Sequence, residues 1–186
     1  MRSCGPCNLC CQVLHVASLD KPPGRLCAHA LAGAGCAIHG EHPEDCRAFA
    51  CGWLQWEELG EAWRPSIAHF LIRPEPGQGR LCIDVDAAWP SAWKAPAYYP
   101  TIKAWSAQVR DRTGCVLVYV GDNCTVVFPE QDLEIGPVAG DDELVVGYLK
   151  GRDYIRPLVR RRRAGVQLGE WQGHKLARSP GAGKSA

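Results

Sequence analysis

Eight cysteines lie within the first 51 residues of the 186-residue chain, and their spacing is typical of metal ligands. Cys4, Cys7 and Cys10 follow one another in two C-x2-C steps, and Cys11 comes directly after them. A C-x2-C pair closes a short loop, so that its two sulfurs can meet at about 2.3 Å from one zinc ion. The candidate metal ligands are Cys4, Cys7, Cys10, Cys11, Cys27, Cys36, Cys46 and Cys51.

The chemistry of these thiols depends on the compartment of the protein. Residues 1–20 lack the continuous apolar segment of a signal peptide, and no apolar run in the chain is long enough to span a membrane. We therefore expect a cytoplasmic protein with no membrane span, in which cysteines stay reduced. The total of 11 cysteines is odd, which also favours metal binding over a fully paired disulfide framework.

The opening of the cluster leaves the metal and the number of sites open. Its C-x2-C-x2-C run is similar to that of bacterial ferredoxins, but Leu14 stands where a fourth cysteine would follow. Cys10 and Cys11 are adjacent, and neighbours in an extended segment point to opposite sides, so they would more easily serve two metals, or one metal and a partner surface. Eight cysteines can fill two tetrahedral zinc sites or hold one polynuclear or iron–sulfur cluster.

Other ligand types occur close to the cluster. His29, His39 and His42 are candidate additional ligands through an imidazole nitrogen, and each can equally be a solvated loop residue. The remaining cysteines lie far from the cluster and in or beside apolar runs, so we predict that they are small buried core residues. They are Cys82, Cys115 and Cys124.

The residues between the cysteines add a family resemblance. The cysteines are accompanied by Gly5-Pro6, Lys21-Pro22, Ala37-Ile38 and Arg47-Ala48-Phe49-Ala50. With them, residues 4–53 resemble the CxxCxxCC or YkgJ-type cysteine-cluster family of zinc- or iron-chelating proteins. The resemblance implies a bacterial, cytoplasmic, metal-binding protein, and it implies no particular reaction. Family members are widely labelled iron–sulfur oxidoreductases, and a similar cluster occurs in the flagellin lysine methylases.

The chain departs from the family pattern at two histidines. His39 stands where the family commonly has tyrosine, and this change could add a ligand. His42 stands where the family commonly has arginine, and this change removes a fixed positive charge near the thiolates. The identity of the metal therefore stays open.

The cluster needs elements that position it. Residues 1–40 are rich in glycine, proline and cysteine and would rely on a metal for their shape. A helix is predicted from Pro43 to about Leu59, with acidic residues in its first turn. Trp53 and Trp56 would be packing residues on this helix, and they would keep water away from the metal.

The chain beyond residue 63 predicts a sheet with one helix. Residues 69–72 and 81–85 read as two strands of a hairpin, and 101–112 as a helix with an apolar stripe at Ile102, Trp105 and Val109. Residues 115–120 and 125–128 flank Gly121-Asp122-Asn123, which is a second hairpin signal. We expect loops over 87–100 and 130–143 and a last strand over 143–149.

These elements predict an α+β fold in three parts. A small cysteine-rich, metal-stapled N-terminal module (1–59) would pack on an antiparallel-sheet-plus-helix layer (60–158). A basic, disordered C-terminal tail (159–186) would follow, with residues 177–186 at its small and polar end.

Charge is balanced overall and uneven along the chain. A net charge of +1 argues against a strongly basic nucleic-acid binder or an acidic scaffold, and no clear nucleic-acid motif is present. Residues 150–186 carry ten lysines and arginines against two acids, with the densest run at Arg160–Arg163. This run is either a contact for an acidic partner, RNA or a membrane surface, or a solvated terminal extension.

Three functions remain open at this point. The first is metal binding, with zinc or iron in a structural, storage or delivery site held by the eight thiolates. The second is an iron–sulfur redox protein, oxidoreductase or methylase-associated subunit. The third is a zinc-stapled adaptor that binds an acidic partner or RNA through its basic tail. No catalytic residue is predicted, and the chain cannot be assigned as an enzyme from these residues.

Overall fold

The computed structural model describes residues 2–75, 77, 79–111, 114–138, 142–150, 155–163 and 172–173. The chain forms two compact units, Met1–Val138 and Ala139–Ala186. The first unit contains both the cysteine segment and a five-stranded sheet, so the fold is α+β. No helix in the described ranges is both long and apolar enough to cross a lipid bilayer.

The N-terminal segment contains little regular structure, as its glycine, proline and cysteine content predicts. Short helices and one two-stranded ribbon interrupt its loops, and two 3-10 turns lie at Ala17–Leu19 and Glu61–Trp63. The elements are α1 (Leu9–Val13), β1 (Ala30–Leu31), β2 (Gly35–Cys36), α2 (Glu44–Arg47), α3 (Gly52–Gln55) and α4 (Pro65–Ala68).

The prediction of one continuous helix over 43–59 is wrong, because the structure has two short helices there. α2 begins with Glu44 and Asp45 in its first turn, as predicted. The backbone is extended at Cys51 (ψ 160°), and a new helix, α3, starts after it. The break gives Cys51 a position outside both helices.

Packing on the sheet accounts for this break. Gly52 lies so close to Ile72 that a Cβ atom at Gly52 would be 2.9 Å from the isoleucine side chain. A continuous helix would not bring the glycine backbone against this strand. Trp53 is buried and Trp56 packs against the same core, which confirms both tryptophans as packing residues.

Five strands form the sheet of the first unit, and neighbours in the sheet follow the order of the chain. All neighbouring pairs are antiparallel except the second and third strands. The strands are β3 (Phe70–Glu75), β4 (Arg80–Val85), β5 (Cys115–Val120), β6 (Asn123–Val127) and β7 (Asp132–Pro137).

The β4–β5 pair is parallel, so the sheet is mixed and the prediction of an antiparallel sheet is wrong at this pair. Leu81 lies opposite Val116 in the register. Parallel neighbours need a long crossover connection. Here the crossover contains a 3-10 turn at Ala92–Lys94 and the helix α5 (Tyr99–Asp111). α5 ends within one residue of its predicted end.

Both predicted hairpins are confirmed. β3 and β4 pair along their whole length, from Phe70 opposite Val85 to Glu75 opposite Arg80. β5 and β6 are joined by a two-residue turn in which Gly121 has φ 58°. A glycine in the left-handed region is what a tight hairpin turn requires.

The core lies between one face of this sheet and the helices. Ile83 and Val116 of the sheet have no exposed surface. Ile102, the first residue of the predicted stripe of α5, is also fully buried, and Trp105 and Val109 pack against the same cluster. The predicted apolar stripe is therefore confirmed.

The predicted acidic loop over 130–143 contains a strand instead. β7 pairs with β6, and a register irregularity between Cys124 and Thr125 accompanies this pairing. Ile135 is the buried residue of β7. Two alternating apolar residues, Leu133 and Ile135, among acids, glycine and proline give too short an alternation to predict a strand.

The second unit is a three-stranded antiparallel sheet in the order β10-β9-β8, with β8 at Asp142–Lys150, β9 at Ile155–Arg163 and β10 at Gln172–Gly173. β8 confirms the strand predicted over 143–149. Arg160–Arg163, which we assigned to a flexible tail, lie in β9, where Arg160 is opposite Val145. The predicted disordered end, 177–186, lies outside the described residues.

Candidate metal centre

All eight clustered cysteines have free thiols, and they come from six separate stretches of the N-terminal segment. Two precede α1, two lie in α1, and one each lies before β1, at the end of β2, in α2 and directly before α3. In chain order these are Cys4 and Cys7, Cys10 and Cys11, Cys27, Cys36, Cys46 and Cys51.

Helix α1 carries Cys10 and Cys11 at adjacent positions. Leu9 and Val13 are buried in the core, and Cys10 packs against the same cluster of apolar residues. The carbonyl oxygen of Cys11 accepts a 2.9 Å hydrogen bond from the backbone N–H of Cys27. The helix therefore joins a core-facing thiol to the loop that carries the next cysteine.

A tight backbone contact joins the first turn of the chain to the β1–β2 ribbon. The N–H of Cys7 donates to the carbonyl of Cys4 at 3.0 Å, which closes the turn around Gly5. Gly35 has φ +86°, and a Cβ atom there would be 2.5 Å from the carbonyl oxygen of Gly5. Only glycine fits both requirements, and the contact holds Cys36 close to the Cys4–Cys7 turn.

Burial and mutual repulsion govern the thiols nearest the sheet. Burial raises the pKa of Cys51, and the nearby Cys7 thiol raises it further. The pKa of Cys4 is raised by burial and then by Cys51, Cys7 and Cys11. Without a metal, these thiols therefore keep their protons at neutral pH.

The thiols farther from the sheet form a comparable group. Burial raises the pKa of Cys46, and the thiols of Cys11, Cys27 and Cys36 add to the increase. Asp45 accepts hydrogen bonds from the backbone N–H and the hydroxyl of Ser18, at 3.1 and 2.9 Å. This contact anchors α2, and with it Cys46, beside the 3-10 turn that precedes Lys21.

The two adjacent thiols of α1 shift each other's pKa in opposite directions. The Cys10 thiol forms a hydrogen bond with Cys11, which raises the pKa of Cys10 and lowers that of Cys11 to about 7. The positive charge of Lys21 also lowers the pKa of Cys11. Cys11 is thus the thiol that ionises first among these two.

Lys21 is a buried cation within the cysteine segment. Its side chain and backbone together are only 5% exposed, and Nζ donates hydrogen bonds to the carbonyl oxygens of Gln12 (2.9 Å) and Leu14. Burial lowers its pKa, and the thiols of Cys11 and Cys27 act in the opposite direction. No carboxylate in the described ranges forms an ion pair with this ammonium group.

The thiols are gathered but they do not converge on one point. Among the described residues, no three Cys, His, Asp or Glu side chains are close enough together to ligate a single ion. The donor set nevertheless fits a soft metal, because zinc and iron prefer thiolate sulfur and each ligand must lose its proton on binding. Convergence and deprotonation of the thiols would therefore accompany metal uptake.

The three histidines lie in the same segment. The rings of His39 and His42 stack with centroids 5.1 Å apart, and His42 Nδ1 accepts a 3.0 Å hydrogen bond from the N–H of Gly40. This bond leaves Nε2 of His42 as the nitrogen facing away from the backbone. A ligand role for His29, His39 or His42 stays a prediction.

The three cysteines outside the cluster are buried in the sheet, as predicted. Burial raises the pKa of Cys115 to about 11 and that of Cys124 to about 12, and it also raises the pKa of Cys82. These thiols stay neutral and chemically inert at physiological pH.

Two charged residues that position the site carry no role in the sequence-based prediction. One is Lys21, which lies before two prolines in a segment that otherwise suggests loop. The other is Arg2, whose side chain donates to the carbonyls of Trp53 (2.7 Å) and Trp56 (3.0 Å) at the end of α3. A lysine placed among clustered cysteines in the sequence is a usable signal for a charge that acts on their thiols. The Arg2 contacts give no such signal, because they depend on tertiary structure alone.

Comparison with known proteins adds no assignment: no family model, no curated protein and no solved structure matches the chain.

Proposed function

We propose that residues 4–51 form a metal-binding module in which cysteine thiolates hold zinc or iron. One observation carries this proposal. Eight free thiols come from six stretches of the N-terminal segment, and four of them, Cys10, Cys11, Cys27 and Cys46, interact with the buried ammonium group of Lys21, which forms no ion pair with a carboxylate of the described residues. The resemblance of residues 4–53 to the CxxCxxCC or YkgJ-type family supports the same proposal.

The proposal explains how a charged Lys21 can be buried. A buried cation is costly unless an anion or an array of dipoles compensates it. Two carbonyl oxygens supply part of this compensation. Four thiolates around a divalent ion carry a net charge of −2, so a loaded site would supply the missing negative charge.

The composition of the segment also supports a structural role for the metal. The N-terminal segment consists mostly of loops and has few fully buried side chains between Val16 and Cys51. Such a segment gains little free energy of folding from apolar burial. Metal ligation can supply the rest of the free energy that keeps it folded. The metal would then hold the loops together, as in a structural zinc site.

An iron–sulfur redox function is the second candidate. Cys7, Cys10 and Cys51 pack against the apolar core, and the buried Trp53 lies in the same cluster. Exclusion of water from thiolate ligands tunes the reduction potential of an iron–sulfur cluster. Such an environment favours a redox cluster over a storage site that must release its metal to solvent.

The experiment is metal analysis and an optical spectrum of anaerobically purified protein. Stoichiometric zinc in a colourless protein would support a structural or storage role, and iron with visible charge-transfer bands would support the redox candidate. Chelation of the metal should also increase amide hydrogen exchange within residues 4–51 while the β3–β6 amides stay protected. A protein that takes up neither metal, in cells or on reconstitution, would overturn the proposal.

A further inference from the structure

The turn that follows β4 exposes a large aromatic side chain to solvent. Trp89 is 55% exposed, the highest value among the exposed large apolar residues of the described ranges. Its neighbours Ala87, Ala88 and Pro90 are exposed as well. An indole offers a large contact area and loses little conformational entropy on binding, which is why tryptophan is enriched at binding surfaces. Trp89 is therefore a candidate contact residue for a partner.

The indole of Trp89 is held from one side. Its ring stacks on the imidazole of His69, with the centroids 4.2 Å apart and the planes inclined by 15°. His69 is itself fixed, because it ends α4 in the left-handed backbone region (φ 59°) and its N–H donates to the carbonyl of Pro65. Since His69 covers one face of the ring and more than half of Trp89 is exposed, the opposite face is open to solvent.

The same turn carries a carboxylate without a cation. The N–H of Trp89 donates to the carbonyl of Asp86 at 2.8 Å. Asp86 Oδ1 accepts hydrogen bonds from the N–H of Ala88 (3.0 Å) and from Nε2 of Gln12 (2.9 Å), which are both neutral donors. No lysine or arginine in the described part of the chain forms an ion pair with Asp86. Its negative charge and its Oδ2 are therefore available to a partner.

We propose that Trp89 and Asp86 form a docking surface for a guanidinium group, presented by an arginine in a basic segment of a partner protein. A cation is attracted both to the face of an indole and to a carboxylate. Arginine satisfies both groups at once, because its planar guanidinium can stack on the open face of the indole while its edge donates to Oδ2. This inference does not depend on the proposed metal binding.

The charge of the surroundings favours the same partner. Residues 1–138 contain 11 lysines and arginines against 15 aspartates and glutamates. Closer to the surface, residues 81–93 contain two aspartates and no lysine or arginine. One of these, Asp84, already forms an ion pair with Arg73 at 2.9 Å, whereas Asp86 forms none with a described residue. A basic segment would therefore meet no lysine or arginine at this turn, and complementary charge would speed its association.

Gln12 joins the docking surface to the cysteine segment. It lies in α1 directly after Cys11, and its side chain supplies the hydrogen bond to Asp86. A partner docked on Trp89 would therefore lie beside the helix that carries two of the candidate metal ligands.

The test is NMR titration of the ¹⁵N-labelled full chain with an acetylated and amidated Gly-Ser peptide that carries two arginines. We expect saturable shifts of the Trp89 indole N–H, assigned with Trp89→Phe, and of the Ala88 amide. The affinity should fall as salt is added. The same peptide with citrulline, the neutral isostere of arginine, should bind about 10-fold more weakly, and the lysine version about 3-fold more weakly.

Variants separate the contributions of the two residues. Asp86→Asn removes the charge, and its amide oxygen can still accept the hydrogen bonds from Ala88 and Gln12. We expect it to weaken the arginine peptide by about 5-fold, and Trp89→Ala to abolish saturable binding. Glu58→Gln, at an exposed acid elsewhere in the first unit, should bind like the wild type.

Several outcomes would overturn the proposal. Equal binding of the arginine and citrulline peptides would leave only an apolar contact, and absence of saturable shifts at Trp89 would leave no docking surface. Self-association of the wild type that is lost in Trp89→Ala, without peptide binding, would identify a second copy of the chain as the occupant instead. If a variant does not fold, as judged by far-UV circular dichroism, the arginine and citrulline titrations of the wild type decide the question.

Discussion

The ammonium nitrogen of Lys21 donates a 2.9 Å hydrogen bond to the carbonyl oxygen of Gln12, the residue that follows Cys11. This bond fixes a buried positive charge at the end of α1, next to Cys11, whose pKa is lowered by Cys10 and by this charge. The last carbonyls of a helix lack partners within the helix, and the lysine satisfies one of them. The contact therefore links local backbone structure to the charge of the candidate metal centre.

Replacement of this lysine should weaken metal binding. In Lys21→Met the thiolates nearest the ammonium group lose a compensating cation, and we expect the metal affinity of the protein to fall by about 10- to 100-fold. Competition with a chromophoric chelator measures this affinity. Lys94→Met is the matched control, since the Lys94 side chain is 45% exposed and lies far along the chain in the crossover. Equal affinities in wild type and Lys21→Met would contradict the expectation.

The ionisation of Cys11 should be visible in the metal-free protein. The hydrogen bond from Cys10, aided by Lys21, holds the pKa of Cys11 at about 7, whereas a free cysteine ionises at about 8.5. Alkylation of Cys11 by iodoacetamide should therefore rise as pH increases through about 7 and level off above it. Peptide mapping by mass spectrometry over this range gives the profile for each thiol.

Two comparisons make this measurement specific. Cys10→Ala removes the hydrogen-bond donor and should move the midpoint of Cys11 alkylation to higher pH. Cys82 is buried in β4, so it should stay unmodified in the folded protein throughout. A Cys11 profile centred on the pH of an ordinary thiol would argue against the Cys10–Cys11 hydrogen bond.

The contact between α3 and the sheet should not tolerate a methyl group. In Gly52→Ala the new Cβ would meet the Ile72 side chain at 2.9 Å, and such overpacking costs about 1–3 kcal/mol of stability. Urea unfolding measures this loss. Gly60→Ala is the control, because a Cβ there has no atom within 4 Å. Similar free energies of unfolding for the two variants would show that α3 does not pack as described.

Arg2 should stabilise the end of α3. Its guanidinium donates to the carbonyls of Trp53, Trp56 and Leu59 and lies 4.9 Å from the centre of the Trp53 ring. We expect Arg2→Ala to lose about 2 kcal/mol in urea unfolding, and Arg2→Lys to recover little, because only the planar fork reaches several carbonyls at once. Arg25→Ala, at an exposed position, should have no effect. Full recovery in Arg2→Lys would contradict this role.

Local sequence patterns predicted the elements of the sheet layer well. The stripe of Ile102, Trp105 and Val109 predicted α5, and the Gly121-Asp122 turn predicted the β5–β6 hairpin. Both signals depend on residues that are close in sequence, where side-chain periodicity and turn stereochemistry act directly. The burial of Cys82 followed from its apolar neighbours in the same way.

Features that depend on distant residues were missed. The parallel pairing of β4 with β5 is set by the path of the crossover, and the helix break before Gly52 is set by Ile72 in another element. The cysteine spacing identified the eight candidate ligands. It could not show which of them contact the core, because Cys7, Cys10 and Cys51 meet it only once the distant strands of the sheet are in place.

The most direct test is the metal content of anaerobically purified wild type beside that of the double variant Cys7→Ser/Cys46→Ser, measured by mass spectrometry of the metal and protein quantitation. We expect stoichiometric zinc or iron in the wild type and in Cys124→Ala, and loss of that stoichiometry in the double variant. A wild type that remains metal-free after reconstitution, or a double variant with wild-type metal content, would contradict the assignment of these thiols as ligands.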